Sequence, residues 1–111
     1  MKRALAAAAL VALCATANAK FWDGNTLHNH LNGNQSEQIL AIGYVLGVAD
    51  SLHGEVQCAP ANATSGQMRD MVRNYLTNTP AVRHLPADLL VLHVLKGTWP
   101  CANNQRRGNG V

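Results

Sequence analysis

The residues of this chain that could do chemistry are five histidines, three serines, three cysteines and an acid inside an apolar stretch. A metal carrier would draw on His28, His30, His53, His84 and His93. His28 and His30 are two apart, which on a helix turns their side chains roughly 200° from each other and off a shared face. They converge only if that stretch is extended or looped. There is no His-Glu-x-x-His pairing and no Cys/His cluster, so no metal centre and no cofactor are expected. A hydrolase would need a nucleophile beside a base. Ser36 and Ser65 read as helix starts, and Ser51 has no glycine-rich elbow around it. No catalytic set assembles, and the chain is not expected to be an enzyme.

Composition narrows the alternatives further. Apolar residues make up 48% of the 111 positions, aromatics 5% and charged residues 14%, with a net charge of +3. That is a single small globular domain without the dense Lys/Arg and interleaved aromatics of a nucleic-acid groove. Lys2-Arg3, the apolar run Ala4 to Ala15 and the small-x-small site Ala17-Asn18-Ala19 describe a secretory signal peptide over residues 1–19. The run is too short for a retained anchor, which needs roughly 20 apolar residues. Leu13 before Cys14 also departs from a lipoprotein site. Removal of the signal leaves seven Lys/Arg against six Asp/Glu, a net charge of +1, and no charge-driven or membrane partner is implied.

Cys14 leaves with the signal, so Cys58 and Cys101 remain as an even pair in an oxidising compartment and are expected to bond. Neither lies in a Cys-x-x-Cys motif, which argues against thiolate metal ligands.

The positioning elements follow from periodicity and caps. Thr26 to Leu31 reads as a short helix broken by Asn32-Gly33-Asn34. Ser36 is the expected cap of a longer helix, Glu37 to His53, apolar on most sides and closed by Gly54. Gly43 and Gly47 fall on one face of it, where another backbone is expected to approach closely. Asp50 on this helix is expected to be a structural ion pair or cap, with Arg69, Arg73, Arg83 or His84 as partner, in preference to a contact for another protein. Cys58 to Ala63 is a loop; Asn62-Ala63-Thr64 matches a glycosylation sequon and is taken as chance. Thr64 and Gln67 form a capping box, and Met68, Met71, Val72, Tyr75 and Leu76 mark the buried stripe of the helix that follows. Pro80 lies beyond its end. Pro86 opens a last helix, Ala87 to Lys96, which Gly97 is expected to end. No window alternates as a strand does. The expected fold is all-α, a small three- to four-helix bundle with one disulfide, over residues 20–102, followed by a polar tail at 103–111.

In order along the chain, Gly43-Tyr44-x-x-Gly47-Val48-x-Asp50, Cys58-x-Pro60, Thr64-x-Gly66-Gln67, Tyr75-Leu76, Pro80, Arg83-His84 and Trp99-Pro100-Cys101 resemble the Rap/Tai immunity proteins that protect bacteria against type VI secretion amidases. The resemblance implies a small exported helical protein, often a homodimer, with a disulfide at the positions of Cys58 and Cys101. It marks Gly43, Tyr44, Gly47, Asp50, Pro60, Thr64, Gln67 and Trp99 as the motif. Where the family tends to carry glycine and valine before the capping threonine, this chain has Asn62 and Ala63, so the resemblance does not carry over the shape of the loop.

The function so implied is periplasmic: occupation of the substrate cleft of an amidase that cuts peptidoglycan stems, with the chemistry in the partner. A rigid exposed projection is what such inhibition needs, and Glu55 to Thr64 is the best segment for it. The candidate contacts are Glu55, Gln57 and Asn62, with Arg83 and His84 as a second group. Two other readings compete: a periplasmic stress or chaperone-like helical protein, and a His-based metal carrier resting on His28 and His30.

Overall fold

The computed structural model of the chain describes residues 21–102. The expected signal peptide and polar tail lie outside the described residues. Four helices follow in order: α1 (Gly24–Leu31), α2 (Gln35–Ser51), α3 (Ser65–Asn78) and α4 (Ala87–Thr98), with a single 3-10 turn at Pro80–Val82 before α4. Each helix packs on the other three. Among the described residues no strand forms, and no helix is long and apolar enough to cross a membrane.

Short polar side chains decide where the helices start. Asp23 Oδ1 accepts from Thr26 N at 2.8 Å and opens α1. The expected cap of α2, Ser36, is displaced by Asn34, which accepts from Glu37 N at 2.9 Å while Glu37 Oε1 accepts from Asn34 N. The reason is spacing: Asn34 has a glutamate three residues on and can close a reciprocal box, whereas Ser36 has Ile39 there. The Thr64–Gln67 box forms as expected, at 3.1 and 2.8 Å. α2 ends at Ser51, two residues before the expected end, and Gly54 takes the left-handed conformation at φ 86°. Gly97 does not stop α4. The helix continues to Thr98, and Trp99 N closes it by donating to Leu95 O.

The core is built from i, i+4, i+8 rows: Ala41, Val45 and Ala49 on α2, and Met68, Val72 and Leu76 on α3. Leu27, Leu31, Ala59, Ala87, Leu90, Val91 and Leu95 complete it, and Met71 and Tyr75 pack on it half-buried. Trp22 stacks on both His30 and Tyr44, with ring centroids 4.5 and 4.9 Å away, and so ties the start of the fold to α2.

Close backbone approach occurs at a different glycine from those expected. Nothing lies within 4 Å of where a Cβ would sit on Gly43 or Gly47, so that face of α2 is open, with Ile39 and Leu40 exposed beside it at 63% and 56%. At Gly24, by contrast, a Cβ would sit 2.5 Å from Leu90 Cδ1 and 2.8 Å from Arg83 Cα. There Gly24 N donates to Leu85 O, and Asn25 N to Arg83 O, strapping the segment before α4 onto α1.

Candidate functional site

The Cys58–Cys101 disulfide forms, with the two Cα atoms 4.9 Å apart, and pins the long connection between α2 and α3 to the end of α4. A main-chain bond from Cys58 N to Trp99 O, 2.8 Å, lies beside it. The loop is held at further points. Gly54 N donates to Gln57 O, Val56 N to Leu52 O, and the imidazole Nε2 of His53 meets Ala59 O at 2.9 Å.

Gln57 is the centre of this arrangement and corrects an expectation. Its side chain is fully buried: Nε2 donates to Ala49 O and Oε1 accepts from Ala59 N, both at 2.8 Å. Ala49 O is one of the carbonyls left without a partner at the end of α2, and a buried one would be costly unpaired. Gln57 therefore shapes the loop from within and is not available as a contact for another protein. Glu55, Pro60, Ala61 and Asn62 remain exposed around it.

Beneath the loop lies a cavity of about 280 Å³ between the end of α2 and the opening turn of α3. Ala49, Ala59, Pro60, Ala61 and Met68 line it with apolar surface, Gln57 and His53 add polar groups, and the exposed Asp50 is part of the lining. The ion pair expected for Asp50 is absent among the described residues. Asp70 takes Arg69 at 2.9 Å and Arg73 at 2.8 Å, and its carboxyl is held below the usual carboxylate range, chiefly by the Arg69 hydrogen bond.

Arg83 is engaged elsewhere. Its Nη1 donates to His28 Nδ1 at 2.8 Å, so the His28 proton sits on Nε2, which donates to Thr77 Oγ1 at 3.1 Å. Burial first, and the Arg83 charge second, hold the His28 pKa below 6.5. Arg83 Nε is buried without a partner among the described residues. The guanidinium thus bridges α1 towards α3, while His84 beside it is exposed. This second group belongs to the Thr77 end of α3 and the loop to its Thr64 end, about 20 Å apart at 1.5 Å per residue. The candidate contacts of the sequence therefore form two separate patches.

The motif positions divide between scaffold and cavity lining. Thr64 and Gln67 cap α3, Trp99 backs the disulfide, and Tyr44 stacks on Trp22. Burial, and then the charge of Asp88, push the Tyr44 phenol up. His28 and His30 serve different neighbours, His30 Nδ1 lying 2.8 Å from Thr26 O. Among the described residues no three His, Cys, Asp or Glu side chains converge as a metal would require. The buried role of Gln57 and the place of Asp50 in the cavity lining are what sequence reasoning missed. A polar side chain directly before the disulfide cysteine Cys58, six residues past the end of α2, was the available signal for the first.

Against known proteins, the model of the Rap1a immunity proteins matches residues 6–101. No curated protein matches the chain.

Proposed function

The chain belongs to the Rap1a immunity protein family, and from that premise we propose that it is exported to the periplasm and neutralises a type VI secretion effector that is a peptidoglycan amidase. Processing after Ala19 releases the helical body, and residues 103–111 follow it as a tail. The loop from Glu55 to Thr64 enters the effector's cleft, with Glu55 and Asn62 as contacts and His84 as a secondary one. The observation that supports this reading is the fixing of the loop by covalent and hydrogen bonds on both flanks, Cys58–Cys101 on one side and the Thr64 capping box on the other. A loop already held in shape gives up little conformational entropy on binding. The chain itself supplies no reaction.

A second copy of the chain is the proposed cover for the open face of α2, where Ile39 and Leu40 flank Gly43 and Gly47. Leu40→Asp would convert a dimer to a monomer by light scattering.

Periplasmic co-expression with the effector encoded beside this gene tests the central reading. Protection of the host and co-purification of the two proteins are expected. Continued lethality with no complex refutes it.

A further inference from the structure

We infer that the cavity beneath the disulfide loop is the seat of one basic side chain, Lys or Arg, of the partner protein, with Asp50 taking its charged head. This rests on the immunity reading for the partner and goes beyond it in naming the chemistry of the anchor.

Among the described residues no Lys or Arg pairs with Asp50. Arg69 and Arg73 pair with Asp70, and Arg83 bonds to His28. Asp50 also lies in the last turn of α2, where the helix macrodipole is negative, and that turn contains no basic residue. A carboxylate at this end of a helix opposes the dipole and adds to its negative potential. An exposed acid so placed is poorly suited to stabilising its own helix and well suited to attracting a cation.

The cavity fits the rest of such a side chain. At about 280 Å³ it falls just below the range of pockets that take drug-sized ligands and has room for one side chain. Ala49, Ala59 and Met68 offer apolar surface to a methylene stem, and Lys and Arg bury their stems while keeping the head polar. Both ends of the Gln57 amide are bonded inside the loop, and His53 Nε2 is on Ala59 O. Asp50 is the acidic residue of the lining, and its charge selects a cation.

The test measures the affinity of the neighbouring effector for the full mature protein and for Asp50→Asn, with Asp88→Asn as a control that removes the same charge from α4. Asp50→Asn is expected to weaken binding tenfold or more and to flatten its salt dependence, while Asp88→Asn stays within twofold of wild type. In parallel, butylguanidinium, a mimic of the Arg side chain, is titrated into the labelled protein. Saturable amide shifts at Asp50, His53 and Ala59 with a millimolar midpoint are expected, and they vanish in Asp50→Asn. Effector binding by wild type and Asp50→Asn within twofold of each other overturns the inference and leaves the immunity reading standing. Failure of the wild type to bind the effector overturns that reading instead, and the butylguanidinium shifts, present or absent, then decide the cavity's preference for a cation.

Discussion

Removing the disulfide should cost a large share of the stability of this domain. The bond closes a loop across a sequence separation of 43. The chain-entropy relation gives about 4 kcal/mol for a loop of that length, released to the unfolded state when the link is cut. Small domains have only about 5–15 kcal/mol in total, so the link supplies roughly a quarter to four-fifths of it. At roughly 4–8 °C per kcal/mol for a domain of this size, the melting midpoint should fall by roughly 15–30 °C. The assay is thermal unfolding by circular dichroism of the wild type, the wild type with reductant, and Cys58→Ala/Cys101→Ala. Reductant should lower the wild-type midpoint to near that of the double variant and leave the variant unmoved. A second readout separates local from global effects. Hydrogen exchange at Ala59 N, which is bonded to the Gln57 side chain, should rise further than exchange in the middle of α3, because the disulfide pins the loop directly. A fall in midpoint under 5 °C would refute the reasoning, since the bond would then constrain neither the unfolded chain nor the loop.

Gln57→Ala should cost about 2–4 kcal/mol in urea unfolding, because it strands Ala49 O and Ala59 N in a buried site; a cost under about 1 kcal/mol would mean the loop re-pairs them. The glycines should behave oppositely. Gly24→Ala forces a methyl against Leu90 and the Arg83 backbone and should destabilise by about 1–3 kcal/mol, whereas Gly43→Ala meets open space and should add up to about 1 kcal/mol in the monomer by helix propensity. Acid should loosen the contact of α1 with Arg83. The folded protein holds the His28 pKa below its unfolded value of 6.5, so this contribution is fully present above pH 6.5 and is lost as pH falls through the lowered folded value. His28→Gln should reduce the acid sensitivity of urea unfolding below pH 6.5, and an imidazole titration by NMR with a midpoint at or above 6.5 would contradict it.

Much of the scaffold was legible residue by residue. The Thr64–Gln67 box, the Met68/Val72/Leu76 row, the left-handed Gly54 and the Cys58–Cys101 pair are governed by neighbours within a turn of helix or by the redox compartment, and each is formed. Less of the candidate site could be read. Ser36 and Asn34 are both good caps, and the choice fell to Glu37, whose spacing favours Asn34. Gly43-x-x-x-Gly47 has the spacing of a close helix contact, but no element of the described chain lies over it. Asp50 had several possible arginines, and Asp70 won two of them because it is adjacent to Arg69 and three residues from Arg73, so that pairing needs no long-range closure.

By itself the sequence determined an all-helical chain with one sulfur link, since helix periodicity, caps and cysteine parity are local or countable properties. Only the tertiary structure decided that Gln57 turns inward, that Arg83 goes to His28 and that Asp50 is left exposed in the lining of a cavity. Those outcomes depend on which polar groups meet once the helices pack, and each bond made between distant residues removes a partner from every other residue that could have claimed it.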